Sequence, residues 1–173
     1  MKRIGLLGGM SWESSIEYER IINEEVRARL GGVHSADLIV RSYDFAQIEH
    51  LQETDRWDEA GDLLAADAAL LEASGADVIV LCTNTMHKVA ESIEAAIGVP
   101  FLHLADATAD AVLSAGVEVV ALLGTRYTME QDFYRARLES RGLTVLIPDE
   151  PDRTMIHEVI FSELVRGSVT VSY

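Results

Sequence analysis

The sequence predicts an α/β fold made of two pseudo-symmetric halves, each with a mainly parallel sheet flanked by helices. Short apolar runs alternate with longer amphipathic stretches, and glycines stand where the amphipathic stretches should end. In addition, the motif IGLLGG at residues 4–9 is echoed by VALLGT at residues 120–125. Continuous apolar strands that alternate with helices are typical of parallel sheets covered on both faces.

The apolar runs predict buried strands, because each run is too short to form a typical helix. These strands span residues 4–7, 38–40, 78–81, 99–102, 117–123 and 143–147. The periodic stretches between them predict helices over residues 15–30, 57–73, 86–97, 105–115, 129–141 and 153–165. A left-handed glycine is a common helix end, and we expect this conformation at Gly31, Gly32, Gly75, Gly98, Gly116, Gly142 and Gly167.

The one plausible boundary, at Gly98-Val99-Pro100, divides the chain into a first half, residues 1–98, and a second half, residues 99–173. When the repeat is extended from Cys82, the matching position of the second half falls beyond residue 173. The second half is therefore expected to be incomplete and to lack its closing strand. Functional residues are expected in loops at the carboxyl ends of the strands, where such folds bind their ligands.

The composition is that of a globular protein, and its negative net charge argues against several classes of binding partner. Hydrophobic residues make up 49% and charged residues 25% of the 173 positions, which is ordinary for a protein with a buried core. With 14 Lys and Arg against 29 Asp and Glu, the net charge of −15 argues against nucleic acid and membrane partners. The N-terminal residues lack the apolar run of a signal peptide, and Cys82 has no second cysteine with which to pair. We therefore expect a cytoplasmic protein.

The first candidate motif is GGMSWES at residues 8–14, directly after the first predicted strand. Glycines let backbone N–H groups approach a ligand, and a helix N-terminus favours an anion. The motif is neither a dinucleotide-binding loop nor a phosphate loop, because both of those glycine patterns are absent. A tight turn with Ser14 as the helix cap is an equally good interpretation, although Trp12 in the predicted loop favours ligand binding.

The second motif is CTNTMH at residues 82–87, which places a cysteine between a buried strand and a helix. The helix N-terminus should stabilise a thiolate and hold the pKa of the Cys82 thiol below about 8.5. Asn84 or Thr85 can cap the helix, and the hydroxyl and amide groups can hold a carboxylate. A buried structural cysteine is the alternative, but the polar residues that follow Cys82 favour catalysis.

The third motif is LGTRYTM at residues 123–129, within the echo. Thr125 and Thr128 can present hydroxyls to a ligand, or Thr128 can simply cap the next helix. The histidines form no tight metal-binding pattern, so no metal site is expected. Lys2 and Lys88 are the only lysines, and neither position suits the Schiff base of a pyridoxal phosphate enzyme, so that cofactor is not expected.

Taken together, the three motifs resemble the cofactor-independent aspartate/glutamate racemases, in particular the broad-specificity amino acid racemases of bacteria. The resemblance covers nearly the whole chain and implies two pseudo-symmetric α/β domains with the active site between them. In that family, two cysteines face opposite sides of the substrate α-carbon, one as thiolate base and the other as thiol acid. No cofactor takes part.

The resemblance implies a role for particular residues of this chain. Cys82 matches the first catalytic cysteine, and Gln52 matches a contact to the substrate's side-chain carboxylate that some relatives make with arginine. The remaining implied substrate contacts are Met10, Thr83, Asn84, Thr85, Thr125 and Thr128. The implied substrate is a small anionic amino acid, aspartate or glutamate, and the expected assembly is a homodimer.

One part of the family pattern is not found in residues 1–173. The second cysteine belongs to a Gly-Cys-Thr-Glu motif that would lie beyond residue 173, so we expect inversion by this chain to be impaired. One alternative is a protein that binds carboxylates or amino acids without catalysis. Another is a one-cysteine relative of the decarboxylase type, although those relatives keep the second-half cysteine. An uncovered sheet edge would also promote aggregation.

Overall fold

The structure is a computed structural model that describes residues 1–170, and it separates into two compact units. The first unit contains Met1–Thr83 and Val89–Leu102. The second contains Asn84–Lys88 and the chain from His103 onward. The predicted boundary after residue 98 differs from this division, because the short strand that follows it pairs with the sheet of the first unit.

The first unit is organised around a four-stranded parallel sheet. Its strands are β1 (Arg3–Gly8), β2 (Asp37–Ser42), β3 (Val78–Leu81) and β4 (Phe101–Leu102), in the order β2-β1-β3-β4. Leu7 of the central strand β1 lies opposite Arg41 on one side and Leu81 on the other. The carboxyl ends of β1, β2 and β3 consequently lie side by side at one edge of the sheet.

Four helices accompany this sheet: α1 (Trp12–Leu30), α2 (Phe45–Glu53), α3 (Trp57–Ala73) and α4 (Ala90–Ala96). Helix α3 buries Leu64, Ala68 and Leu71, which join the apolar strands in the core. By contrast, α1 has no fully buried residue, and Trp12 and Ile16 are exposed at its start. One side of the sheet is therefore only partly covered.

The second unit contains a two-stranded parallel sheet of β5 (Val119–Ala121) and β6 (Thr144–Leu146). Its helices are α5 (Leu104–Ser114), α6 (Arg126–Glu130), α7 (Asp132–Ser140) and α8 (Asp152–Ser162), and short 3-10 turns span Thr85–Val89 and Leu164–Arg166. The core of this unit consists of Ala105, Ala109, Tyr134, Leu138 and Leu143. An α/β fold with parallel sheets is thus confirmed.

Several local predictions were wrong. The predicted strands are all present, but β5 and β6 are largely exposed, because within residues 1–170 they form a sheet of only two strands. The predicted helix over 86–97 is a 3-10 turn followed by α4, and the one over 129–141 divides at Gln131 into α6 and α7. Helix α2 was not predicted.

The helix ends also differ in detail from the predictions. Ser14 does not cap α1; the N-cap position belongs to Ser11, and the Ser14 hydroxyl donates a hydrogen bond to the Ser11 carbonyl at 3.1 Å. Gly98 does not have the predicted positive φ, whereas the other glycines expected at helix ends do. Among the described residues, no helix has both the length and the apolar character needed to cross a bilayer.

Candidate functional site

The glycine turn after β1 is held against the start of α1 by Ser15. The backbone N–H of Gly9 donates to the Ser15 hydroxyl oxygen at 2.8 Å, and that hydroxyl donates to the Ser11 carbonyl at 2.9 Å. Gly9 has a φ of 82°, and a Cβ atom there would collide with the backbone of Tyr43. The turn therefore requires glycine at position 9. The hydrogen bonds of Ser15 fix the conformation of the first motif.

Cys82 directly follows β3 and lies beside this glycine turn. Its backbone N–H donates to the Leu7 carbonyl at 2.8 Å, which extends the β1–β3 ladder by one residue. A Cβ atom on Gly8 would lie 4.0 Å from the Cβ of Cys82 and 3.0 Å from the Ser15 hydroxyl. The small residue at Gly8 therefore leaves space next to the thiol.

The predicted low pKa of the Cys82 thiol is wrong. Cys82 is 1% exposed, and burial raises its pKa to about 12. The expected stabilisation by a helix N-terminus is missing, because Cys82 is followed by a 3-10 turn and α4 begins only at Ala90. A thiolate at this position needs a positive partner, and among the described residues burial is the only cause that shifts the pKa of Cys82.

A groove of about 230 Å³ opens next to Cys82 within the first unit. Leu6 and Val40 form its floor on the sheet, while Trp12, Ile16 and Glu19 form its wall on α1. The groove is mostly apolar and open to solvent at Trp12, which is 61% exposed. We call it the Cys82 groove.

In the second unit, Thr85, Thr125 and Thr128 form a triangle of hydroxyl groups. The Oγ1–Oγ1 distances are 2.8 Å from Thr85 to Thr125, 3.3 Å from Thr85 to Thr128 and 3.2 Å from Thr125 to Thr128. Thr125, rather than Thr128, caps α6, because its hydroxyl accepts the N–H of Thr128 at 3.4 Å. Thr85 and Thr128 are buried. Hydroxyl groups both donate and accept, so this triangle can present donors to a carboxylate.

The other predicted contacts lie in different surroundings. Met10 is buried immediately after the glycine turn, and Gln52 is buried on α2 in the same unit. Thr83 is partly buried next to Cys82, whereas Asn84 is exposed and its carbonyl accepts the N–H of His87. Thus the first unit holds Met10, Gln52, Cys82 and Thr83, and the second holds Asn84 and the hydroxyl triangle.

Two buried histidines of the second unit accept hydrogen bonds from backbone N–H groups. His87 Nε2 accepts the N–H of Leu104 at 3.2 Å, and His103 Nδ1 accepts the N–H of Ala105 at 3.2 Å at the start of α5. Burial is the main cause that lowers the pKa of His103 to about 4, so its imidazole is neutral and can accept. In the part of the chain that the structure describes, no group of His, Cys, Asp and Glu could hold a metal ion.

Sequence reasoning missed Tyr43, Ser15 and Glu19. Tyr43 packs against the Gly9 turn through its backbone and carries the Arg41 guanidinium 4.3 Å above its ring. Glu19 could have been found, because it follows Trp12 and Ile16 at the i, i+4, i+7 spacing of one helix face. The sequence shows no comparable signal for Tyr43, whose contact depends on strand pairing between distant segments.

Comparison with known proteins identifies the family to which the whole chain is similar. The Asp/Glu/hydantoin racemase family matches residues 7–170. The chain is 53% identical to a protein from Yersinia pestis assigned as an Asp/Glu racemase, with a TM-score of 0.90 over 99% of this chain and 75% of that one. It is 34% identical to an aspartate racemase homologue from Pyrococcus horikoshii, with a TM-score of 0.82 over 97% of this chain and 74% of that one.

A curated relative is the broad-specificity amino-acid racemase of Bacillus subtilis. The two are 27% identical over 154 residues, which is 84% of this chain and 64% of that protein. The chain therefore spans less than two thirds of the length of this relative.

Proposed function

This chain belongs to the Asp/Glu/hydantoin racemase family, and we propose that it moves the α-proton of an amino acid through Cys82 without a cofactor. The observation that carries the proposal is the position of the thiol, which ends β3 beside the glycine turn and faces a groove. Aspartate and glutamate are the proposed substrates, because homologues of this chain are named for them.

In the proposed step, the Cys82 thiolate takes the α-proton and becomes a thiol, while the electron pair stays on the substrate as a carbanion conjugated with its carboxylate. Return of a proton to the carbon regenerates the thiolate. A thiol with a pKa of about 12 is ionised in only about one molecule in 10⁵ at pH 7. The substrate's own ammonium group would lower this pKa on binding, since a nearby positive charge favours the thiolate.

The developing negative charge of the carbanion also needs donors close to the substrate carboxylate. We assign this role to the hydroxyls of Thr85, Thr125 and Thr128, supported by Asn84 and Thr83. Met10 would pack against the substrate, and the Gln52 amide would contact its side-chain carboxylate. These assignments rest on the family resemblance and on the hydroxyl triangle.

Inversion requires a second proton donor on the opposite face of the α-carbon. Cys82 is the only thiol in the 173 residues, so we expect this chain to exchange the α-proton from one face faster than it inverts the configuration. A second candidate function is amino acid binding without catalysis. The raised pKa of Cys82 favours that alternative, because it makes the base scarce at neutral pH.

The test is proton NMR of L-aspartate and L-glutamate with the purified chain in deuterated buffer, followed by chiral analysis of the amino acid. We expect loss of the α-proton signal with retention of the L configuration. Cys82→Ser should slow this exchange by about 100-fold or more, the usual contribution of a positioned acid or base. Ser114→Ala, at an exposed position on α5, is the matched control and should exchange normally.

Each alternative result has a distinct meaning. Exchange with full racemisation would contradict the one-sided mechanism and require a second acid. Binding without exchange would favour the non-catalytic amino-acid-binding protein. Exchange that persists in Cys82→Ser would refute the role of the thiol.

A further inference from the structure

The second unit contains a small polar cavity between helices α6 and α8, with a volume of about 110 Å³. We call it the Arg126 cavity. Its lining residues all come from these two helices: Arg126, Glu130, Arg153, Thr154, His157 and Glu158. Cys82 and its groove belong to the first unit, so this cavity is separate from the site proposed above.

A hydrogen bond determines the tautomer of His157 in this cavity. The backbone N–H of Arg126 donates to His157 Nδ1 at 3.2 Å, so Nδ1 carries no proton. Burial is the main cause that lowers the pKa of His157, and the charge of Arg126 is the next cause. The imidazole is therefore neutral at neutral pH. A neutral imidazole with an unprotonated Nδ1 carries its proton on Nε2, which makes Nε2 a donor.

This Nε2–H group faces a second donor. Arg126 Nη2 lies 3.4 Å from His157 Nε2, and a guanidinium can only donate hydrogen bonds. The two groups consequently cannot bond to each other in this tautomer, and each of them needs an acceptor. Among residues 1–170, no carboxylate forms an ion pair with Arg126. A single oxygen of a bound carboxylate could accept from both donors.

The cavity also contains a carboxylate that lacks a partner. Glu130 contacts Arg153 at 3.6 Å, whereas Glu158 forms no ion pair within the described part of the chain. Since Arg126 and Glu158 line the same cavity without contacting each other, opposite charges remain apart on its walls. A simple anion would be attracted by Arg126 but repelled by Glu158 and by the net charge of −15. A ligand with one charge of each sign would match both walls.

We propose that the Arg126 cavity binds a small free amino acid in its zwitterionic form. One oxygen of the ligand carboxylate would accept from Arg126 Nη2 and His157 Nε2–H, and the ammonium group would lie beside Glu158. A volume of about 110 Å³ limits the enclosed part of the ligand to the size of glycine or alanine. The inference does not depend on the proposed function, because none of these residues takes part in the reaction at Cys82.

The experiment follows the imidazole signals of His157 by NMR, assigned through their loss in His157→Gln, during titrations at low ionic strength and neutral pH. The three probes are glycine, acetate and methylammonium chloride. Acetate carries only the negative group of glycine, and methylammonium carries only the positive one. In the free protein, the nitrogen shifts should show a proton on Nε2. We expect glycine to bind about fivefold more tightly than either single-charge probe, the effect of one additional exposed ion pair.

Two variants separate the contributions of the two charges. Arg126→Gln should weaken glycine and acetate binding about fivefold without weakening methylammonium, and its backbone N–H can still donate to His157. Glu158→Gln should weaken glycine and methylammonium by a similar factor without weakening acetate. Arg135→Gln is the matched control for Arg126→Gln, because Arg135 pairs with Asp132 and does not line the cavity. It should change each dissociation constant less than about twofold.

Several results would overturn the inference. Acetate that binds as tightly as glycine would make the cavity an anion site instead. A proton on Nδ1 in the free protein, the absence of a saturable shift at His157, or equal losses in Arg126→Gln and Arg135→Gln would refute the assigned contacts. A glycine response at His157 that disappears in Cys82→Ser would show that the amino acid binds in the first unit rather than at a separate site.

Discussion

At Cys82, two effects act on the thiol pKa in opposite directions. The sequence places the residue ahead of a helical pattern, which would lower the pKa. Burial at the end of β3 raises it instead, to about 12, and the turn after it is too short to act as a helix terminus. The acidity of this thiol therefore depends on what binds next to it.

This dependence predicts the pH profile of Cys82 alkylation. In the folded protein, the rate of reaction with iodoacetamide should be far below that of free cysteine at pH 7.5 and should rise about tenfold per pH unit until pH approaches 12, because only the thiolate reacts. In denaturant, the profile should return to a midpoint of about 8.5. A folded-state midpoint near 7 would contradict the burial argument.

The candidate site was partly predictable at this scale. The sequence predicts Cys82, Thr125 and Thr128 as site residues because each follows a strand of the repeated pattern, where α/β folds bind ligands. The capping role of Thr125 and its bond to Thr85 could not be predicted, because hydrogen bonds between distant turns leave no periodic trace in the sequence. Glu19 lies outside the three motifs, and only the structure shows that it lines the Cys82 groove.

Between helices α5 and α7, one carboxylate organises a small ionic cluster. Asp106 accepts two hydrogen bonds from Arg137, at 2.9 and 2.8 Å, and contacts Arg141 at 3.1 Å. Hydrogen bonding to Arg137 is the largest cause that holds the pKa of Asp106 far below its usual range. The cluster ties together the two helices that enclose the core of the second unit.

Asp106→Asn should therefore lower the free energy of unfolding by about 1–2 kcal/mol, as expected for a partly buried, two-armed arginine contact. The measurement is urea denaturation followed by circular dichroism at pH 7. Asp110→Asn is the control, because Asp110 is more exposed and, among the described residues, its one ion pair is with Arg141; its effect should stay below about 0.5 kcal/mol.

The same cluster fixes a pH dependence. Because the folded-state pKa of Asp106 lies below the unfolded value of about 3.9, its contribution is complete above that pH and declines as the pH falls further. The stability difference between the original chain and Asp106→Asn should shrink accordingly below pH 4. A difference that remains constant down to pH 2 would show that the arginines act through packing rather than charge.

At the level of elements, the strands were predictable and the short helices were not. The strands are continuous runs of branched apolar residues, so tertiary context did not change them. Helix α2 buries only Ile48 and Gln52, which is too weak a periodicity to distinguish it from a loop. The break between α6 and α7 could not be predicted from the sequence either, because Gln131 is not a helix-breaking residue.

For the whole molecule, a net charge of −15 opposes self-association while an exposed strand favours it. Within residues 1–170, β5 pairs only with β6, so its other edge has no strand partner. Val119, Leu123 and Leu146 are all more than half exposed on this sheet or directly after it. Exposed apolar strand edges promote association between chains.

These opposing effects predict association that increases with salt, because salt screens the repulsion between acidic chains. Sedimentation velocity at low and high sodium chloride should show larger species at high salt. Val119→Lys should suppress them, since a charged residue blocks edge pairing. Leu70→Lys is the control, because Leu70 is exposed on helix α3 and lies away from any strand edge. This substitution should not suppress the larger species.

The predicted homodimer gives a different result in the same experiment. A closed dimer would sediment as a single species at both salt concentrations and would survive Val119→Lys. Edge-driven association would instead give a range of sizes that grows with protein concentration, because open pairing does not end at two chains.

The second unit consists of two separate segments, Asn84–Lys88 and the chain from His103 onward. This division affects how fragments of the gene should be chosen. A gene fragment starting at codon 103 would omit the pentapeptide that brings Thr85 to the hydroxyl triangle and His87 to the N–H of Leu104. The smaller segment of the second unit, Asn84–Lys88, is thus encoded between the two segments of the first unit. Fragment complementation or domain shuffling with this gene should therefore cut before codon 84 and retain codons 89–102 as an internal insert.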